Sequence, residues 1–113
     1  MISDDQMKNF YEYRSNENSD LTLEFWLVET NRIDKAIELI RHRIKILSDL
    51  GQHEYLGRYH NNLGWMYDLI HKWPDAIDEF IMAYKEDTKK YGIRKARKML
   101  AYANWRNLKK RLE

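Results

Sequence analysis

The chain has no cysteine, a single proline among 113 residues, only four glycines, and no apolar run of bilayer length. Without cysteine there are no disulfides and no thiolate metal sites, which fits a reducing, cytoplasmic setting. A membrane-spanning helix needs about 20 consecutive apolar residues, and none occurs. The opening MISDDQMKNF is acidic and polar, so no secretory signal peptide is expected. So little proline and glycine leaves few breaks, and strand-like alternation is missing, which makes the chain all-α.

Catalytic signatures are also missing. Gly51, Gly57, Gly64 and Gly92 are dispersed and cannot form a phosphate-cradling loop. No serine lies in G-x-S-x-G, and no HExxH occurs. His53 and His60 share a helical face, but seven residues separate them by roughly 10 Å, too far to hold one ion. The expectation is a non-enzymatic chain with no cofactor and no metal.

What is present suits one packed domain. Apolar residues make up 43% and aromatics 13%, enough for a core and against global disorder. The net charge of +2 conceals an uneven distribution. Residues 89–113 hold ten lysines and arginines against the single acid Glu113, a balance of +9, whereas residues 1–88 carry −7.

Residues 59–84 organise the chain as two helices around a turn at His71–Trp73. Leu56, Tyr59, Leu63, Met66 and Ile70 recur at helical spacing, and Ile77, Phe80 and Tyr84 do so after the turn, beside Ala76 and Ala83. Pro74 falls in the first turn of the second helix, where its missing N–H is harmless. Gly64 costs about 1 kcal/mol in a helix relative to alanine, so close approach of the partner helix is expected there. Upstream, Ser3–Tyr13 reads as a short helix, 14–20 as a loop and Leu21–Thr30 as a helix. Asn31 with Asp34 starts the next, with Ile33, Ala36, Ile37, Ile40, Ile44 and Leu47 inward. Gly51 and Gly92 each close a helix in the left-handed conformation. A final helix runs from about Ile93 to the end, with Ile93, Ala96, Leu100 and Ala103 inward.

A shift of about 40 residues superposes Leu23 on Leu63, Phe25 on Trp65, Ala36 on Ala76 and Ile40 on Phe80, and a further such shift takes Trp65 to Trp105. Leu63-Gly64-x-x-Tyr67 followed by Ala76, Phe80 and Ala83 resembles a tetratricopeptide repeat. The period resembles the longer-helix branch of that family, found in G-protein-signalling modulators and peptide-sensing bacterial regulators. Ala36-Ile37, Leu50-Gly51 and Asn62-Leu63-Gly64-x-x-Tyr67 match its pattern, while Glu24 stands where the first unit would carry glycine. The resemblance implies a short helical-hairpin solenoid of five or six helices: an N-terminal helix over 1–16, a degenerate repeat over 17–51, the best repeat over 52–91 and a basic capping helix over 92–113.

That resemblance further implies a concave, partner-binding groove presenting Phe25, Arg58, Asn61, Asn62, Trp65, Asp68 and Trp105, with Lys98 near its end. Its guest would be a peptide or helix of a partner protein. The basic end (Arg94, Lys95, Arg97, Lys98, Arg106, Lys109, Lys110 and Arg111), interleaved with Tyr91, Tyr102 and Trp105, could instead meet nucleic acid, an acidic protein or another copy of the chain.

Overall fold

The computed structural model describes residues 27–113, so the expected helix over 1–16, the loop at 14–20 and Phe25 lie outside the described residues. The fold is all-α. A helix ends at Glu29, and five follow: α1 (Ile33–Asp49), α2 (Leu56–Leu69), α3 (Trp73–Tyr91), the single turn α4 (Ile93–Ala96) and α5 (Leu100–Leu112). There is no strand among the described residues, and none of their helices is long and apolar enough to cross a membrane.

Three reversals of direction use one device. Asn31, Gly51 and His71 have φ of 62°, 70° and 62°, and each follows a helix end. In each turn the next residue's N–H reaches back five positions: Arg32 to the carbonyl of Leu27 (2.6 Å), Gln52 to Leu47 (2.9 Å) and Lys72 to Tyr67 (2.9 Å). These bonds satisfy carbonyls that the helix end leaves unpaired, as in a Schellman closure. Asn31 and His71 thus repeat the same geometry forty residues apart. Asn31 does not cap α1, as its place before Asp34 suggested. It closes the preceding helix, and α1 begins with no side-chain cap. A Cβ on Gly51 would meet nothing within 4 Å. Gly51→Ala is therefore expected to cost about 1 kcal/mol through backbone strain alone, measurable as a lower urea midpoint with an unchanged slope.

Gly92 differs from the other three. Its φ of 85° pairs with ψ of 158°, outside the left-handed helical region and open essentially to glycine alone. The chain leaves α3 extended, makes the one turn of α4, and breaks again at Met99 (φ −96°, ψ 166°) before α5. The expected single C-terminal helix is thus two. The break resets the helical phase, so the inward residues also change. Ala96 is buried as expected, but Ile93 (52% exposed), Leu100 (45%) and Ala103 face outward, while Ala101 and Leu108 are buried.

The core combines Leu27 and Val28 with Ala36, Ile37 and Ile40 of α1, Tyr59, Leu63, Met66 and Tyr67 of α2, Ala76 and Phe80 of α3, and Leu108 of α5. The antiparallel pair α2–α3 is the most extensively packed, and α5 lies against α3 and α2. Glycine permits this closeness at two levels. A Cβ on Gly64 would lie 2.6 Å from the Phe80 ring and 3.1 Å from the Ala76 carbonyl oxygen. Two turns earlier, a Cβ on Gly57 would lie 2.6 Å from Asp87 Oδ1. Along the flank of the same pair, buried His60 meets Glu79 (Nδ1–Oε2 2.5 Å), and exposed His53 faces Glu86 at 3.7 Å.

Candidate functional site

Two side-chain bonds define a seam between α2 and α5. Asn104 Nδ2 donates to Asn61 Oδ1 at 3.0 Å, and Arg111 Nη2 donates to Asp68 Oδ2 at 2.6 Å. Each joins residues 43 positions apart. Donors seven apart on α5 therefore meet acceptors seven apart on α2, which requires the two helices to run parallel and in register. On α2 the positions 58, 61, 65 and 68 fall at steps of three and four, one face of a helix. On α5 the facing stripe is 104, 107 or 108, and 111.

The Asn61–Asn104 bridge separates two clefts. The first, of about 220 Å³, lies toward the start of both helices and is lined by Gly57, Arg58 and Asn61 of α2, Glu86, Asp87 and Lys90 of α3, and Met99 to Ala101. The second, of about 590 Å³, is lined by Trp65, Asp68, Phe80, Asn104, Asn107, Lys110 and Arg111. It offers an apolar floor, amide groups able both to donate and to accept, and two cations, one already paired. Such a lining can hold an aromatic or aliphatic side chain while bonding the backbone beside it.

The residues expected to form a groove divide accordingly. Arg58 and Asn61 line the first cleft, Trp65 and Asp68 the second. Asn62 is one position off the stripe, hence about 100° round the helix. It is buried at 2% exposure, with Nδ2 lacking a partner. Trp105 turns toward α3, its ring centroid 6.2 Å from Tyr84 and 5.8 Å from Tyr102, and lines neither cleft. Lys98 is exposed and also lines neither.

The basic residues stand at the two ends of α5. Arg94, Lys95, Arg97 and Lys98 precede it, and Arg106, Lys109, Lys110 and Arg111 occupy its second half; all are exposed. Three of the eight have neighbours within the chain. Arg97 Nε donates to the Tyr84 hydroxyl at 3.3 Å, Arg111 pairs with Asp68, and Lys95 lies 4.6 Å from the Tyr91 ring centroid.

In the first cleft, one titratable group departs from its ordinary behaviour. Burial pushes the Asp87 carboxyl up to about 6; Lys90 opposes the rise and Glu86 adds to it. Among the described residues no group of three or more histidines and carboxylates is placed to share a metal ion.

Sequence reasoning overlooked Asn104, Asn107 and Asp87. The first two share helical spacing with Arg111, but a continuous helix from Ile93 puts that stripe on a different face from the one the break at Met99 gives it. Asp87 carries no such signal. In comparisons with protein-family models, curated proteins and solved structures, the chain has no significant match.

Proposed function

We propose that the chain is a non-catalytic protein–protein interaction module of tetratricopeptide type, which takes up a peptide or helix of a partner protein along the α2–α5 seam. The observation that carries this reading is the face formed by Arg58, Asn61, Trp65 and Asp68 opposite a parallel helix bearing Asn104, Asn107 and Lys110. Trp65 is the apolar anchor. A rigid aromatic half-buried beside polar side chains supplies contact area at small entropic cost. Asn107 and Lys110 serve the guest's backbone and charge, and Asp68 with Arg111 fixes the seam's width. The turns at Asn31 and His71, alike and forty residues apart, support the repeat reading. A cytoplasmic location accords with the lack of cysteine.

The test is retention of partners from the native cell, identified by mass spectrometry. Trp65→Ala and Lys110→Glu should each weaken retention of the same proteins by about tenfold or more while leaving far-ultraviolet circular dichroism unchanged. Retention unchanged in both variants would remove the seam from the function. A second reading, nucleic acid held by the basic end, is favoured by the exposure of Arg94, Lys95, Lys98, Arg106 and Lys109. It requires binding that falls steeply with salt and is insensitive to Trp65→Ala. Self-association through the acidic remainder of a second copy would show as a salt-sensitive, concentration-dependent mass.

A further inference from the structure

The first cleft contains a carboxylate that no side chain among the described residues bonds. Asp87 is 9% exposed, yet its carboxylate takes part in no hydrogen bond or ion pair among the described residues. It lines the cleft without being sealed from it. On the α2 side the carboxylate packs close to the backbone, since a Cβ on Gly57 would lie 2.6 Å from Oδ1. An ionised carboxylate held out of water without a partner is costly, and folded proteins ordinarily pair such groups.

The surrounding charges are engaged with other groups. Lys90 Nζ donates to the Glu54 carbonyl at 3.2 Å and lies 5.2 Å from the Tyr91 ring centroid. The Arg58 guanidinium stands 5.7 Å from the ring centroid of Tyr55. Glu86 faces His53 at 3.7 Å and Lys89 at 3.8 Å. Asp87 is the carboxylate left over.

We propose that this cleft binds an alkylammonium or guanidinium group, with the Asp87 carboxylate as its counter-ion and Tyr55 and Tyr91 as walls for the attached carbon chain. A bare divalent ion fits poorly, because it asks for about six oxygen ligands and no three histidines or carboxylates converge there. An anion would be repelled by the Asp87 carboxylate, while the cations lining the cleft, Arg58 and Lys90, are engaged with Tyr55, Tyr91 and the Glu54 carbonyl. An organic cation gains the charge-assisted hydrogen bond to Asp87, and its carbon chain gains contact with the edges of Tyr55 and Tyr91. The volume of about 220 Å³ admits one side-chain-sized group. The source is either a lysine or arginine of a bound chain or a free small cation. The site does not depend on the peptide reading of the seam.

The test is an amide-resonance NMR titration of the full chain with n-butylammonium, n-butylguanidinium and, as an uncharged control, N-butylacetamide. Parallel titrations use a blocked Gly-Lys-Gly peptide and its glutamine analogue. Saturable shifts at Gly57, Asp87 and Ala101 are expected from the cations and absent with the uncharged partners. Asp87→Asn should weaken binding about tenfold while keeping the wild-type helical signal. Tyr91→Leu, at an exposed position, gives a second variant and should weaken it severalfold by removing one wall of the cleft. Response to the lysine peptide alone assigns the site to a protein-borne side chain, and response to the free cations alone to a small molecule. Equal shifts from charged and uncharged probes, equal affinity in both variants, or no saturable shift from any cation would overturn the proposal.

Discussion

Gly64→Leu is expected to destabilise the fold by about 3 kcal/mol, and Gly64→Ala by about 1–2 kcal/mol. The sign is the informative part. At an exposed mid-helix site, alanine in place of glycine stabilises by about 1 kcal/mol, because it restricts the unfolded chain and favours the helix. At Gly64 the added carbon would lie 2.6 Å from two carbons of the Phe80 ring and 3.1 Å from a backbone oxygen of α3. Phe80 is itself only 2% exposed, so the ring has nowhere to retreat. Either the helices separate and expose core, or Phe80 leaves its favoured rotamer. Urea unfolding of Gly64→Ala, Phe80→Leu and the double variant checks this. The double variant should be more stable than the two single losses predict when added, since leucine withdraws the atoms that collide. A stabilising Gly64→Ala would show that α2 and α3 do not touch there.

The stability of the wild-type chain should rise as pH falls from neutral toward 4, through a contribution that Asp87→Asn abolishes. Burial raises the Asp87 carboxyl from 3.8 to about 6, with Lys90 countering and Glu86 reinforcing the shift. A folded state that holds its proton more tightly than the unfolded state gains stability wherever that proton is bound. The gain is complete below 3.8 and lost as pH passes upward through about 6. At neutral pH the ionised carboxylate therefore costs about 1–2 kcal/mol, allowing for the solvent that reaches it through the cleft. Asp87→Asn should be more stable than wild type by about that amount at neutral pH, with the difference shrinking below pH 6. His53 beside Glu86 and His60 beside Glu79 also face this interface, so the quantity to measure is the difference between the two proteins' stability curves. A difference that stays flat across this range would mean that Asp87 ionises as an ordinary carboxylate.

The seam and its supporting pair were legible in unequal measure. Leu56, Tyr59, Leu63 and Met66 were readable as a core face because α2 runs unbroken, and an unbroken helix keeps its phase. Gly64 announced a close approach because a glycine inside a helix is costly without one. The C-terminal segment misled for the opposite reason. Neither proline nor glycine marks 97–99, yet Met99 is extended, and one extended residue rotates everything after it. Ala103 thereby exchanged places with Ala101, and Leu100 with Leu108. Asn31 showed a similar ambiguity, because asparagine suits both the start of a helix and the left-handed turn that ends one.

The sequence by itself determined the all-α class, the hairpin about His71, the inward faces of α1 to α3, and the strongly basic character of the last 25 residues, since each follows from local period, turn chemistry or composition. Only the tertiary structure decided that α5 lies parallel to α2, so that Asn61 and Asp68 are bridged by Asn104 and Arg111 and two clefts open between them. It alone decided that Asn62 and Trp105 turn away from those clefts, and that the Asp87 carboxylate is buried beside Gly57 with no hydrogen-bond partner among the described residues. Period and composition govern what one helix shows along its own length. Register, approach distance and the burial of a charge depend on which surface another helix brings against it.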